Sequence, residues 1–251
     1  MSGPPLTGKI VILTGAGSGI GRAAARAFAA AGAQVLGVGR RADALRQTAA
    51  GHPGIVAHPA DLTAPDAPRE IVDAAVDRWG RVDVLVNNAG ATALMPLADT
   101  TAERIGDLFA LNVTAPSLLA AAALPHLRHA AGSIVNVSST YGHRPLPGAA
   151  HYAASKAALE QLTRCWALEL APTGIRVNAL APGPTDSDAL AAAGLPPETV
   201  NRVKSDEAAR IPLRRRGEPD EVATWIVRLA DPDTTWLTGQ ILTVDGGLEL
   251  V

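Results

Sequence analysis

The chain has 251 residues, and its 47% hydrophobic and 18% charged residues indicate a globular protein with a sizeable core. A net charge of -2 at pH 7 excludes the strongly basic surface that nucleic-acid and anionic-membrane partners require. One cysteine, Cys165, excludes an intrachain disulfide and suits a reducing, cytoplasmic compartment; neither a signal peptide nor an apolar run of about 18 residues is predicted.

Short apolar runs alternate with alanine-rich helical stretches from one end of the chain to the other. The runs predicted as strands are residues 10–13, 35–38, 54–58, 82–86, 133–137, 175–180 and 240–244. The main predicted helices are residues 22–31, 68–79, 102–129, 152–171 and 219–229. Apolar strands separated by helices favour an α/β fold. We expect a doubly wound parallel seven-stranded sheet with helices on both faces, forming a single domain over residues 1–251.

Residues 182–212 interrupt this alternation. They begin with Pro182 and Gly183, contain a short helical piece and are long for a simple connection. Long excursions from a compact domain often act as lids over a binding site. We therefore predict that residues 184–212 cover the substrate.

A glycine-rich turn, TGAGSGIG at residues 14–21, follows the first predicted strand and opens the first helix. Glycines at such a turn let backbone N–H groups approach a pyrophosphate at the helix N-terminus. The spacing is G-x-x-x-G-x-G, because Ile20 stands where the commoner G-x-G-x-x-G pattern has its last glycine. A turn of this kind at the first strand–helix junction predicts a dinucleotide site.

Tyr152 and Lys156 lie four residues apart on a predicted helix and therefore share one face. A phenol has a pKa of about 10, and lowering it by about 3 units requires about 4 kcal/mol of preferential phenolate stabilisation. A positive charge about 4 Å away, at an effective dielectric constant of about 20, supplies roughly that energy. Such a pair is often a surface feature, but together with the glycine turn it predicts proton transfer at Tyr152.

With these motifs in place, the sequence resembles the short-chain dehydrogenase/reductase family over nearly the whole chain. The matching motifs are Thr14-Gly15-x-x-x-Gly19-x-Gly21, Asn87-Asn88-Ala89-Gly90, Ser139 thirteen residues before Tyr152-x-x-x-Lys156, Pro182-Gly183 and Val244-Asp245-Gly246-Gly247. Each motif alone is a weak signal, but all of them occur in the order and at the spacings of the family. The resemblance implies a Rossmann-type sheet, a nicotinamide cofactor, a small carbonyl or alcohol substrate, and a homotetramer (or dimer).

The resemblance also implies roles in catalysis. Tyr152 is the general acid in reduction and the general base in oxidation, while Lys156 lowers its pKa and binds the nicotinamide ribose. Ser139 hydrogen-bonds the substrate oxygen. Asn112 matches the asparagine that holds a water in the proton relay. Ser138 is a neighbouring alternative to Ser139, and the thirteen-residue spacing favours Ser139.

A larger set of residues is predicted to bind the cofactor. Its members are Gly15, Ser18, Gly19, Ile20, Gly21, Arg40, Asp61, Leu62, Asn88, Ala89, Gly90, Tyr152, Lys156, Pro182, Gly183, Thr185 and Ser187. Asp61 matches the family's adenine ligand, although it fits a helix N-cap nearly as well. Thr185 and Ser187 stand where the family contacts the nicotinamide amide, each in place of a commoner residue type.

The end of the second predicted strand bears on the choice between NADP and NAD. NAD sites place a carboxylate there for the ribose 2′-OH, whereas a 2′-phosphate is bound by arginine. Gly39 occupies the acidic position and Arg40 follows it, with a guanidinium that pairs bidentately with phosphate. Asp43 lies four residues too late and fits the start of a helix. Ser18 points the other way, since NADP-preferring relatives often have a basic residue in the glycine turn. We predict NADP, with NAD as the alternative.

The substrate-pocket candidates are Leu94, Tyr141, His143, His151 and Leu190. His143 and His151 lack acidic or cysteine partners at metal-ligand spacing, so no metal is predicted. A wall that mixes apolar and polar groups does not identify the substrate. We expect an oxidoreductase that transfers a hydride between NADP(H) and a ketone or secondary alcohol. The alternatives are an NAD-dependent alcohol dehydrogenase and a catalytically silent dinucleotide-binding protein.

Overall fold

This computed structural model describes residues 5–187 and 196–251. The described part contains one parallel sheet made of β1 (Ile10–Thr14), β2 (Gln34–Gly39), β3 (Ile55–Pro59), β4 (Val84–Asn87), β5 (Ser133–Val137), β6 (Arg176–Pro182) and β7 (Ile241–Val244). The strand order is β3-β2-β1-β4-β5-β6-β7, and each pairing is parallel. The expected α/β, Rossmann-type, seven-stranded sheet is confirmed.

Helices cover both faces of this sheet. In chain order they are α1 (Gly19–Ala30), α2 (Ala42–Ala49), α3 (Ala67–Trp79), α4 (Ala102–Phe109), α5 (Ala115–Ala130), α6 (Ala150–Leu170), α7 (Pro197–Arg210) and α8 (Pro219–Ala230). Val11 and Leu13 of β1 pack in a core cluster with α1 and α8, whereas Ile12 packs with α3, α5 and α6 on the opposite face. Because both faces are buried, the strands carry continuous apolar runs.

The strand order reverses at β1. Strands β2 and β3 lie on one side of β1, and β4 begins the series on the other side. In a doubly wound sheet the connections leave such a point in opposite directions and open a crevice outside the carboxyl ends of the strands. The glycine turn at residues 14–21 leaves the carboxyl end of β1 at this point, so the crevice is the place to look for a ligand site.

Helices α4 and α5 are joined by a π-helical turn, Ala110–Thr114. The combined segment Ala102–Ala130 is long and apolar enough, by length and composition alone, to cross a membrane. Its α5 part packs against the sheet through Leu119, Ala123 and Leu127, which lie in the core. The core helix of a globular protein passes the same test, so this segment is weak evidence for a membrane location.

Two helices differ from the sequence prediction. Helix α1 begins at Gly19 and not at residue 22, because a start rich in glycine carries little helical signal. Helix α2 was not predicted, because its buried residues are Leu45 and Thr48, which are too few to give an apolar periodicity. Asp43 lies in the first turn of α2, behind Arg41 at the N-cap, which agrees with its assignment to a helix start.

The packing of α1 predicts a large loss of stability for Phe28→Ala. Phe28 is fully buried in the cluster that joins α1 to the sheet and α8. Truncation of such a side chain costs about 3–5 kcal/mol, because transfer energy is lost and a cavity remains. Urea unfolding followed by circular dichroism measures this loss. The exposed Leu97→Ala serves as control and should change the free energy of unfolding by less than about 0.5 kcal/mol. Similar small losses in both variants would contradict the packing described.

Candidate active site

The glycine turn is packed closely against the residues that follow β4. A Cβ on Gly21 would lie 2.1 Å from the Gly15 carbonyl oxygen and 2.5 Å from Asn88 Nδ2, so no side chain fits at this position. Gly15 and Gly19 have φ angles of +72° and +49°, in the left-handed region that favours glycine. The sequence motif is thus explained by backbone crowding at the carboxyl edge of the sheet.

Thr14 connects the glycine turn to the segment after β4. Its Oγ1 accepts hydrogen bonds from the backbone N–H groups of Asn88 and Ala89, both at 3.0 Å, and donates to the Val86 carbonyl at 3.3 Å. The Asn88 side-chain amide in turn donates to the Thr14 carbonyl at 2.8 Å. Asn88 and Ala89, both predicted to bind the cofactor, therefore fix the position of the turn.

The N-terminus of α1 has the features of an anion site. Ser18 stands at the N-cap, where its side chain accepts no capping bond from a described residue, and the first turn of α1 contains no acidic side chain. Backbone N–H groups at a helix N-terminus attract anions such as phosphate. Ile20 packs its side chain on the core and can offer only its backbone. The backbone N–H donors of this turn are therefore suited to bind a dinucleotide phosphate.

The hydroxyl group of Ser139 lies close enough to that of Tyr152 to act on it as a hydrogen-bond partner and to favour a lower pKa of the phenol. Ser139 follows the carboxyl end of β5, and Tyr152 lies in the first turn of α6. Ser138 turns its hydroxyl to Glu160 Oε1, at 2.9 Å, so Ser139 is the serine beside the tyrosine. Lys156, one turn further along α6, is buried and donates from Nζ to the Val137 carbonyl at 2.9 Å.

Burial is the largest influence on the pKa values of Tyr152 and Lys156. It raises the pKa of the Tyr152 hydroxyl, and the hydrogen bond with Ser139 offsets only part of that effect. Burial also lowers the pKa of Lys156 to about 8, opposed by the negative charge of Glu160. Besides burial, Ser139 acts to lower the pKa of Tyr152 and Tyr141 acts to raise it. Lys156 Nζ is bonded to the Val137 carbonyl, and the predicted effect of Lys156 on the phenol stays a prediction.

Asn112 lies in the π-helical turn between α4 and α5 and is fully engaged with the protein. Its Oδ1 accepts from the Ala91 N–H at 2.9 Å, and its Nδ2 donates to the Ala91 carbonyl and to Ser155 Oγ, both at 3.0 Å. A Cβ on Gly90 would lie 3.2 Å from both Asn112 Oδ1 and Lys156 Nζ. The structure therefore brings Asn112, Gly90 and Lys156 together. Short π-helical turns are frequent at functional sites.

The segment after β6 approaches the glycine turn from the other side. The Gly183 N–H donates to the Val244 carbonyl of β7 at 3.0 Å, which fixes the end of β6 at Pro182. A Cβ on Gly19 would lie 3.0 Å from Ser187 Cβ, so Ser187 stands directly over the turn. Thr185 is buried and donates from Oγ1 to the Gly183 carbonyl at 3.0 Å.

Arg40 and Asp61 lie near each other beyond the carboxyl ends of β2 and β3, and both are exposed. Hydrogen bonds from Thr63 and, more weakly, the charge of Arg40 lower the pKa of the Asp61 carboxyl. The N-cap alternative for Asp61 is wrong, because α3 begins at Ala67 with Asp66 at its N-cap. Leu62 is partly buried and packs on the core beside the crevice.

The substrate-pocket candidates fall into different environments. Leu94 is 56% exposed, and Tyr141 is partly buried with its backbone N–H donating to Ser139 Oγ at 3.2 Å. His143 has both ring nitrogens on carboxylates, Nδ1 at 3.1 Å from Glu160 Oε1 and Nε2 at 2.9 Å from Glu249 Oε2. His151 Nδ1 is buried with no hydrogen-bond partner among the described residues. Leu190 lies outside the described residues.

Two charged residues near the site escaped sequence reasoning. Glu160, four residues after Lys156, is buried beneath the loop that follows Ser139. Arg216 is the last of three consecutive arginines, residues 214–216. It is buried and donates to Asp186 Oδ1 at 3.1 Å and to the Thr185 carbonyl at 2.6 Å. The four-residue spacing on the predicted helix could have identified Glu160 as a neighbour of Lys156. The sequence contains no comparable sign that Arg216 is buried. In residues 5–187 and 196–251, no group of three or more His, Cys, Asp or Glu side chains is placed to hold a metal ion.

Comparison with known proteins gives consistent matches over the whole chain. A family model described as enoyl-(acyl carrier protein) reductase matches residues 15–249. The 3-oxoacyl-[acyl-carrier-protein] reductase FabG of Thermotoga maritima is 38% identical over 248 residues, 97% of this chain and 98% of that protein. The L-fucose dehydrogenase of Oryctolagus cuniculus is 37% identical over 99% of this chain and 88% of its own length.

A solved structure has the same fold. It is a short-chain dehydrogenase/reductase of unknown function from Caenorhabditis elegans, crystallised with cofactor. Its TM-score is 0.93 at 34% identity, and the match covers 99% of this chain and 97% of the other. Similarity at this level extends to the chain as a whole and is not limited to the sheet.

The double carboxylate contact of His143 predicts a pH-dependent stability. Burial works to lower the pKa of His143, but the hydrogen bonds and charges of Glu160 and Glu249 outweigh it, so the folded-state pKa lies above the usual histidine value of 6.5. A raised folded-state pKa gives stability that is complete below the unfolded pKa and is lost as pH rises through the folded pKa. His143→Gln should therefore destabilise the protein most below pH 6.5, and progressively less at higher pH.

Denaturant unfolding of wild type and His143→Gln at several pH values measures this difference. His129→Gln, at an exposed histidine near the end of α5, is the control. A destabilisation by His143→Gln that is constant from acidic to alkaline pH would show that the imidazolium does not bridge the two carboxylates.

Proposed function

The chain belongs to the short-chain dehydrogenase/reductase family, and from that premise we propose that it transfers a hydride between NADP(H) and a ketone or secondary alcohol. The observation that carries this proposal is the proximity of the Ser139 and Tyr152 hydroxyls. Lys156 lies one helical turn beyond the tyrosine, and the glycine turn leaves β1 at the same edge of the sheet. An acid/base group, a donor for the substrate oxygen and an anion site are thus together at one edge.

The residues divide the chemistry among themselves. When bound, a nicotinamide cofactor supplies the hydride in reduction and accepts it in oxidation. Ser139 donates a hydrogen bond to the carbonyl oxygen, where negative charge develops. Tyr152 delivers a proton to that oxygen in reduction and removes it in oxidation. Lys156 favours the phenolate by its charge and would hold the nicotinamide ribose. Its Nζ lies 3.2 Å from the position of a Cβ on Gly90, which is also a proposed cofactor residue.

The other proposed site residues support this chemistry by position. Asn112 holds the π-helical turn beside Lys156, and we assign it to the proton relay. Gly15, Ser18, Gly19 and the backbone of Ile20 and Gly21 bind the phosphates. Ser187 stands over the turn, and we assign it, together with Thr185, to the nicotinamide end of the cofactor. Leu62 and Asp61 contact its adenine end.

Arg40 is the basis for NADP as the cofactor. It follows Gly39 at the end of β2, so this position offers a guanidinium and no carboxylate. Such a site attracts a 2′-phosphate through charge-assisted hydrogen bonds. The exposure of Arg40 leaves its guanidinium free to turn toward a ligand.

We further propose that residues 184–212 form a lid over the substrate. Within the described part of this segment, every residue of α7 is at least partly exposed. Helix α7 is tied to its neighbouring segments by ion pairs. Lys204 Nζ lies 3.0 Å from Asp186 Oδ1 in the segment after β6, and Glu207 is paired with Arg216, which lies between α7 and α8. A helix attached through charged contacts, and without a buried apolar face, suits a segment that moves.

The assembly and location of the protein are also proposals. We propose a homotetramer (or dimer) in the cytoplasm, since family members are commonly oligomeric and the chain has a single cysteine. At the C-terminal end Leu248 is buried within its own chain, whereas Leu250 and Val251 are exposed. The last two side chains are therefore the ones available to a neighbouring subunit.

Replacement of the tyrosine tests the chemistry. Tyr152→Phe should lower kcat by about 10²- to 10⁴-fold, because the proton donor is lost, while NADPH binding measured by fluorescence titration stays close to wild type. Turnover is measured with a panel of ketones and secondary alcohols by the absorbance of reduced nicotinamide. Trp236→Phe, at an aromatic side chain that is 100% exposed, is the control and should retain kcat within a few-fold. Near-normal turnover in Tyr152→Phe would sink the proposed mechanism.

Cofactor choice is tested at Arg40. Wild type should show the higher kcat/KM with NADPH, and Arg40→Ala should reduce the NADPH/NADH ratio by about 10- to 100-fold through loss of hydrogen bonds to a charged phosphate. Arg41→Ala, the adjacent exposed arginine, is the matched control and should change the ratio much less. A wild-type preference for NADH would establish the NAD-dependent alternative.

A further inference from the structure

Glu160 is a buried carboxylate on the face of α6 that carries the active-site pair. It follows Lys156 by four residues and Tyr152 by eight, so the three side chains succeed one another at single helical turns. Its exposed fraction is 3%. A buried carboxylate is costly unless hydrogen bonds and opposite charge compensate it, which raises the question of what Glu160 does there.

The carboxylate is seated under the loop that begins at Ser139. Glu160 Oε1 accepts a hydrogen bond from Ser138 Oγ at 2.9 Å and contacts His143 Nδ1 at 3.1 Å. A Cβ on Gly142 would lie only 2.3 Å from the same oxygen, so the loop backbone rests directly on the carboxylate. Glu160 therefore holds the strand end that presents Ser139 to Tyr152.

The same carboxylate also acts electrostatically on Lys156, one helical turn before it on α6. The lysine is buried and donates to the Val137 carbonyl, a neutral acceptor that does not compensate a full charge. Desolvation lowers the pKa of Lys156, and the negative charge of Glu160 opposes that shift. A lysine that loses its proton near neutral pH can neither favour a phenolate nor hold a ribose hydroxyl as a cation.

The other titratable groups around Lys156 and Glu160 come from three elements. Tyr152 precedes Lys156 on α6, and its pKa is raised by burial. Tyr141 and His143 face the pair from the loop after β5. Glu249, in the C-terminal turn, meets the far nitrogen of His143. Among these described neighbours, Glu160 is the carboxylate whose charge acts directly on Lys156.

We infer that Glu160 is a positioning residue of this enzyme: its carboxylate keeps the Lys156 ammonium charged in the dry interior and anchors the Ser139 loop. The inference rests on the proposed function for its catalytic consequence, but the charge coupling belongs to the protein itself. The coupling can therefore be measured without turnover.

The titration of Lys156 can be followed by NMR, because the chain has three lysines, Lys9, Lys156 and Lys204, and therefore gives few signals. Protein labelled with lysine carrying ¹³C at Cε gives three resonances, assigned with Lys9→Arg and Lys204→Arg, whose shifts report each titration against pH. Lys156 should titrate at about 8 in the wild type. In Glu160→Gln its midpoint should fall by about one to two pH units, as expected for loss of a charge about one helical turn away.

Two further variants separate charge from packing. Glu160→Asp keeps the charge, so the Lys156 midpoint should stay well above that of Glu160→Gln. Glu169→Gln removes an exposed carboxylate from the same helix and should leave the midpoint unchanged. An unchanged midpoint in Glu160→Gln, or equal shifts in the Gln and Asp variants, would overturn the inference.

The catalytic consequence is read from the pH profile of kcat/KM for carbonyl reduction. Removal of a negative charge lowers every proton affinity of the Tyr152–Lys156 pair, so the alkaline limb of Glu160→Gln should move to lower pH. An alkaline limb that stays in place while the Lys156 midpoint falls would overturn the catalytic part. A wild-type protein without carbonyl reduction, whose Lys156 midpoint still falls in Glu160→Gln, would refute the proposed function while supporting the charge coupling.

Discussion

All the strands of the sheet run in one direction, and the site depends on that constraint. In a parallel sheet the carboxyl ends lie at one edge, so residues that follow β1, β4, β5 and β6 meet there although they are distant in the chain. The glycine turn, the Asn88–Gly90 segment, Ser139 and the segment ending at Ser187 all come from such ends. Thr14 makes the arrangement rigid by bonding β1 to the segment after β4.

Burial of charge is the second consequence of this arrangement. The edge is covered by α6 and the loop after β5, so Tyr152 and Lys156 lose solvent and their neutral forms are favoured. A reaction that needs a cationic lysine requires a negative charge in the same water-excluded region to offset the cost of burying the ammonium group. Glu160 is in the right place for it, one turn along the helix and held by Ser138 and His143. The position of the carboxylate and the desolvation of the lysine are therefore two parts of one electrostatic balance.

The segment beyond β6 is held by a different kind of interaction from the one that stabilises the sheet. Around the sheet, apolar packing of α1, α3, α5, α6 and α8 stabilises the fold. Helix α7 is linked to the segment after β6 by ion pairs centred on Arg216 and Asp186. Partly exposed ion pairs stabilise less than buried apolar area does. The proposed substrate lid is thus less firmly held than the edge of the sheet that carries the proposed catalytic residues.

The sequence by itself determined the class of fold and the order of the strands, and it singled out Tyr152 and Lys156 as the proposed catalytic pair. Apolar runs, glycine spacing and the four-residue interval of Tyr152 and Lys156 are local properties, so they can be recognised in the sequence alone. Helix α2 was lost because it buries little apolar surface, and Asp61 was ambiguous because an Asx-type turn and a helix N-cap use the same residue types.

Only the tertiary structure decided which charges are buried together. Glu160, His143 and Glu249 are joined across as many as 106 residues of sequence, and Arg216 reaches Asp186 across 30. Likewise the direction of the pKa shift at Tyr152 followed from burial, which the helical spacing of the pair does not contain. Electrostatic energy depends on distance in space and on exclusion of water, and a linear sequence specifies neither until the chain has folded.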